Sequence, residues 1–360
     1  MNKRRLAPAA GLITLALVST GCSGGVVSGS ADKQTLTVAL YTPKSSSLSQ
    51  TVAWWTDAVT EATDGAVAFN LNYDGSLLAA DDTLQGVGEG RADMGLVAGI
   101  YYESQLPLTS ISGVPYLVED PRAAMLAFAE LSESSDTFAH EYASNNVMPL
   151  FFLPARDALL GSSDAMIESV EDLRGRSIRA AGTFSTTLAA VGANPVSIVF
   201  NELYEALDRG VVDSYSGILL DSVDTAGLYE VADYVSNPRQ GLLTTYPVAL
   251  NADLWEGLSD EVKTVMTDKA ALAVERYFTF EEEAYAVACD SIESSGGEVY
   301  MWSDDAVDAW AEKLGDTVLD SWRDRVGDAA EEFEDSYRAA LADAEGEAPE
   351  NGVQLCADRF

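Results

Sequence analysis

Apolar and polar positions alternate over residues 34–41 (Gln-Thr-Leu-Thr-Val-Ala-Leu-Tyr) and again over 66–73, which predicts two half-buried strands. Between them Val52, Trp55, Val59 and Ala62 recur at helical spacing, and the pattern stops at Asp64-Gly65, so a helix is expected over 49–63. A short helix over 83–90 ends at glycine. The run Ala92-Asp93-Met94-Gly95-Leu96-Val97 that follows reads as a strand buried in a parallel sheet. Further along, the pattern predicts a helix over 120–143, a strand over 147–153 and an extended segment over 242–250. No Pro or Gly interrupts residues 259–295, which therefore read as one helix roughly 50 Å long. A strand over 298–301, helices from 303 to about 344 and a tail of low order over 346–360 complete the chain. Strands alternating with helices from the start specify an α/β architecture.

Residues 171–217 compress strand, helix, strand, helix and strand into one compact unit. Its first strand, Ser177-Ile178-Arg179-Ala180-Ala181, runs through Gly182 into the helix start Thr183-Phe184-Ser185-Thr186-Thr187. A fixed guanidinium then lies beside the amide-rich, positive end of a helix, an arrangement suited to binding an anion.

The N-terminus and the composition set the compartment. Lys3, Arg4 and Arg5 precede a largely apolar run over 6–18 that is too short for a bilayer span, and Ser19-Thr20-Gly21-Cys22 follows. This is a secretory signal pattern. Its end resembles a bacterial lipobox, implying cleavage after Gly21 and lipid on Cys22, with residues 22–34 as a Ser/Gly-rich tether. The product is expected outside the cytoplasm, held to the cell membrane through its N-terminal lipid alone. The chain carries 21 Lys and Arg against 58 Asp and Glu, a net charge of −37, which repels nucleic acid and anionic lipid. That surface suits salty surroundings or a basic docking partner. Outside the cytoplasm Cys289 and Cys356 are expected to pair, tying the C-terminal tail to the long helix. Neither cysteine has metal-ligand spacing, and neither a metal nor a cofactor is expected.

Four linked segments carry a family resemblance: residues 170–179 (Val-Glu-Asp-Leu-Arg-Gly-Arg-Ser-Ile-Arg), 191–196 (Val-Gly-Ala-Asn-Pro-Val), 201–207 (Asn-Glu-Leu-Tyr-Glu-Ala-Leu) and 209–213 (Arg-Gly-Val-Val-Asp). With Gly90-Arg91-Ala92-Asp93-Met94, Val114-Pro115-Tyr116 and Asn251-Ala252-Asp253-Leu254-Trp255 they resemble the DctP-type solute-binding proteins of tripartite ATP-independent periplasmic (TRAP) transporters, over about residues 35–310. The resemblance implies a two-lobed, periplasmic-binding-protein-like fold with hinge strands and one long helix bracing both lobes. The first lobe would comprise 35–153 with about 246–285, and the second 154–245 with about 286–345. The implied function is a monomeric receptor that closes over a small organic acid and passes it to the TRAP membrane subunits. A binding lipoprotein of an ATP-driven importer and a sensory receptor are the alternatives.

By that resemblance Arg179 pairs with the ligand carboxylate through two parallel hydrogen bonds, a grip that lysine cannot reproduce. Arg156 takes a second basic position, as ligand contact or supporting group, with a hinge ion pair as the competing reading. Phe200 walls the pocket ahead of a helix that Asn201 can cap. Tyr41, Tyr101, Tyr102 and Tyr116 can offer hydroxyls from the first lobe, and Gly217 completes the candidate contacts. The family often has asparagine shortly after the Val-Asp pair, whereas Ser214-Tyr215-Ser216-Gly217 stands here, and a second polar position falls near Leu243 or Thr244. A small or partly apolar carboxylate is therefore favoured over a heavily hydroxylated sugar acid. An enzyme is not expected: no Gly-x-Ser-x-Gly elbow occurs and the lone histidine, His140, lies in a helical stretch.

Overall fold

The computed structural model describes residues 33–344, 346 and 351–360; the signal segment and Cys22 lie outside the described residues. Two sheets organise the chain, each with helices on its faces. The strands in chain order are β1 (Gln34–Ala39), β2 (Val67–Asn72), β3 (Met94–Leu96), β4 (Val147–Ala155), β5 (Leu159–Ser162), β6 (Ser177–Ala180), β7 (Asn194–Ser197), β8 (Ser214–Ile218), β9 (Tyr234–Asn237), β10 (Thr244–Asn251) and β11 (Glu298–Met301). The first sheet has the order β2-β1-β3-β10-β4 and the second β11-β9-β5-β8-β6-β7. In the first, β1 runs parallel to β2 and β3, while β10 is antiparallel to β3 and β4. Every residue of β3 and β10 is buried, as strands covered on both faces require.

The chain passes between the lobes at neighbouring points. β4 leaves the first sheet toward β5 through residues 156–158, and β9 returns to β10 through 238–243. β4 and β10 pair along their length, with Tyr246 opposite Leu153 and Thr245 opposite Pro154. A third link is the helix Asp260–Ser295. It starts where the Ser259 hydroxyl accepts the Val262 N–H and stops at Gly296, whose φ of +83° suits a residue without Cβ. Its N-terminal half contributes Met266, Ala270, Ala273 and Tyr277 to the core that contains the first sheet. Its C-terminal half contributes Tyr285, Ala288, Cys289 and Ile292 to a separate core on one face of the second sheet.

Three expectations are corrected. The helix expected over 120–143 is two, Pro121–Ser134 and Asp136–Ala143, because Ser135 is extended and turns its hydroxyl to cap the Phe138 N–H. Of the tail, the described residues 351–360 are built around a helix, Gly352–Ala357, capped by Asn351 and seated by buried Val353 and by the Cys289–Cys356 disulfide. The helix Ala330–Ala344, grouped by sequence with the second lobe, packs on Pro121–Ser134 of the first. Tyr337 stacks on Phe128 of Pro121–Ser134 and Phe333 on Phe138 of Asp136–Ala143, at centroid distances of 4.9 and 5.4 Å. Its apolar stripe did not reveal which lobe it would face.

Candidate functional site

Arg179 sits on β6 of the second sheet, between the edge strand β7 and β8. Its side chain is 2% exposed, and main-chain carbonyls hold it: Nε donates to Ile198 O at 2.8 Å and Nη1 to Ser216 O at 3.1 Å. Nη2 donates to the Tyr101 hydroxyl of the first lobe at 2.7 Å. Among the described residues no Asp or Glu forms an ion pair with Arg179. A guanidinium has five N–H donors. Three are engaged, which leaves two, the number that one carboxylate takes in a two-pronged grip.

Arg179 borders a pocket between the lobes with a cavity volume of about 30 Å³. Arg179, Phe200, Gly217, Ile218, Leu219 and Ser222 line it from the second lobe. Tyr41, Thr42, Leu48, Ala98, Ile100 and Tyr101 line it from the first, and Leu243 and Tyr246 from the return to β10. No carboxylate, amide or second cation is in this lining. The polar groups are hydroxyls. That of Tyr101 accepts both Arg179 Nη2 and the Phe200 N–H, the latter at 2.9 Å, so its own proton is available to a third partner. Burial pushes the Tyr41 and Tyr246 phenols up, so both remain protonated donors. Phe200 packs edge-on against Tyr41, closing an aromatic wall. Gly217 has a φ of +68°, and a Cβ there would lie 2.7 Å from Leu243 Cδ1, so glycine and leucine fit each other at this side of the pocket.

The pocket thus gathers Arg179, Phe200, Tyr41, Tyr101 and Gly217, but neither Arg156 nor Tyr116. Arg156 pairs with Glu281 of the long helix at 2.7 Å and with Asp157 at 3.6 Å, at the first crossing between lobes. The competing reading, a hinge ion pair, describes that geometry. Tyr116 is drawn away because its N–H bonds to Gln240 O and its ring lines a separate cleft with Leu314 and Leu319. Tyr102 donates to Ala80 O and accepts from Leu84 N–H, a structural role. Asn201 caps no helix; its Nδ2 donates across the cleft to Tyr41 O at 3.2 Å. The helix end beside Arg179 is also taken by protein, since Glu103 accepts the Thr183 N–H. The anion socket expected from sequence is therefore divided, with the guanidinium facing the pocket and the helix end facing Glu103. Tyr246 and Ser222 were not named as pocket residues from sequence, and Leu243 stands where a second polar position was expected. Ser222 follows β8, the neighbour of Arg179's own strand, whereas Leu243 and Tyr246 reach the pocket from the return to β10.

Comparison with known proteins adds a family. The model of DctP, described as bacterial extracellular solute-binding protein, family 7, matches residues 38–324. The ectoine-binding periplasmic protein TeaA of Halomonas elongata is 26% identical over 215 residues, which cover 58% of this chain. The aligned part spans 62% of TeaA, less than two thirds of its length. The sugar acid binding protein of Advenella mimigardefordensis, solved with galactonate, superposes with a TM-score of 0.78 at 17% identity, covering 87% of this chain and 99% of that one. A TRAP periplasmic solute-binding protein of Desulfovibrio salexigens with bound orotic acid gives the same TM-score at 22% identity, covering 86% and 99%. At such identities these structures establish the fold.

Proposed function

The chain belongs to the DctP family of bacterial extracellular solute-binding proteins, and from that premise we propose that it captures a compact monocarboxylate between its lobes and delivers it to the membrane subunits of a TRAP-type secondary transporter. One observation carries the ligand class: a buried guanidinium, held by two main-chain carbonyls and the Tyr101 hydroxyl and without a carboxylate ion pair among the described residues, lines a mostly apolar pocket. A ligand carboxylate neutralises that charge. The Tyr101 hydroxyl donates to the same carboxylate or to a neighbouring oxygen, and the aromatic wall covers the apolar body. A sugar acid brings several hydroxyls that need partners, and the lining offers few. The lobes open and close about the two crossings, 156–158 and 238–243, and Arg156 with Glu281 braces the first. The protein acts as a receptor without catalytic turnover.

A thermal-shift screen tests the ligand class. Compact monocarboxylates with an apolar or ring-shaped body, orotate and ectoine among them, are to be compared with hexuronates, aldonates and dicarboxylates. The first group is expected to contain binders that raise the melting temperature, since a ligand at about 100 times its Kd stabilises the folded form by about 2.7 kcal/mol. Stabilisation by sugar acids alone, or by solutes without a carboxylate, would refute the assignment.

We further read Ser19-Thr20-Gly21-Cys22 as the processing site of a lipoprotein, with Cys22 as the acylated first residue. Intact-mass analysis of the protein extracted from membranes is expected to give a chain starting at Cys22 with a diacylglyceryl group. An unmodified chain beginning elsewhere excludes the anchor.

A further inference from the structure

Two carboxylates cross the cleft in opposite directions. Glu103 of the first lobe reaches Thr183, the first residue of the second-lobe helix Thr183–Ala190. Its Oε1 accepts the Thr183 N–H at 2.5 Å and also the Thr183 hydroxyl. Its other oxygen pairs with Arg325 at 3.0 Å, and Arg325 in turn donates to Ser110 Oγ. Asp221 of the second lobe, 1% exposed, reaches Ser47, the first residue of the first-lobe helix Ser47–Ala62. Its Oδ2 accepts the Ser47 N–H at 2.9 Å and the Ser47 hydroxyl at 2.7 Å. The first turn of a helix has N–H groups without intrahelical partners and a partial positive charge. Each lobe thus supplies the anionic cap for a helix of the other.

Neither carboxylate lines the ligand pocket, yet both stand at its margins. Ser222 and Leu48, next to Asp221 and Ser47 in sequence, face the pocket on one side, and Tyr101 faces it near Glu103 on the other. Gly182 permits the approach of Glu103: with φ of +50°, a Cβ there would lie 2.5 Å from Glu103 Oε1. Both contacts require apposed lobes, because donor and acceptor belong to different ones.

We infer that Glu103 and Asp221 are positioning residues that clamp the lobes over the ligand, and that they keep the closed form populated before any ligand arrives. The inference rests on the receptor reading. It adds that part of the affinity comes from the closed fraction, since an apparent Kd is the intrinsic one divided by the fraction of competent protein.

Hydrogen exchange on the ligand-free full chain tests this, with Glu103→Ala and Asp221→Asn as variants. Exchange at a cross-lobe amide follows the population of the open form. Losing a hydrogen bond to a charged group is expected to speed exchange about tenfold. The decisive readout is reciprocal: Glu103→Ala should accelerate exchange at Ser47, on the other side of the cleft, and Asp221→Asn should accelerate it at Thr183. A merely local cap changes only its own partner. Acceleration confined to Thr183 in Glu103→Ala and to Ser47 in Asp221→Asn overturns the proposal, as does wild-type protein unprotected at both amides. If Asp221→Asn fails to fold, Glu103→Ala alone decides at Ser47. Because no ligand is used, a negative result here leaves the acid-receptor reading standing, and a negative acid screen leaves this measurement interpretable.

Discussion

Arg179→Ala is expected to remove measurable binding of the best acid from the screen in isothermal calorimetry while the protein still unfolds cooperatively on heating. The wild-type ligand carboxylate is desolvated between the lobes, and without the guanidinium it stays there poorly paired. Truncating one partner of such a pair costs roughly 2–5 kcal/mol, which weakens Kd by about thirty-fold to several thousand-fold. Arg179→Lys separates charge from geometry. An ammonium restores the positive charge but cannot hold Ile198 O, Ser216 O and the Tyr101 hydroxyl while also offering two parallel donors. Its affinity should fall between those of the alanine variant and the wild type. Unchanged affinity in Arg179→Ala would remove the assignment of the pocket.

The second large effect concerns stability. Opening the Cys289–Cys356 bridge, by the double change Cys289→Ser and Cys356→Ser, is expected to lower unfolding stability by about 2–4 kcal/mol in urea titrations. The bridge spans 67 residues of sequence, so the unfolded chain gains considerable freedom when it is absent. The tail it holds is integrated into the fold. Asn351 donates to Asp157 at 3.3 Å, the same oxygen that Asn237 reaches at 2.9 Å, and Val353 is fully buried. A loss below about 0.5 kcal/mol would show that the tail seats itself without the bond.

What could be read in the sequence was local in kind. The long helix followed from the absence of Pro and Gly over 259–295, and the Arg179 strand from a short motif. The disulfide followed from two cysteines in an extracytoplasmic chain. Ser135 followed by Asp136 was a local signal too, an N-cap pair inside an apolar stripe that the longer periodicity concealed. The clamp left no such trace. Glu103 meets Thr183 from 80 residues away and Asp221 meets Ser47 from 174, and both are drawn from 58 acidic side chains. Most of those are solvated, so position in sequence does not mark the two that are engaged. Arg156 and Tyr116 show the converse: the Arg156 guanidinium is taken up by Glu281, and the Tyr116 backbone is tied to Gln240 O, away from the pocket.

The helix Asp260–Ser295 belongs to two cores at once, one at each half. A rod embedded at both ends prevents the lobes from sliding past each other along its length and leaves them free mainly to tilt. On the proposed closure about the two crossings, the phenol of Tyr101 would arrive opposite the same guanidinium each time, as it stands here.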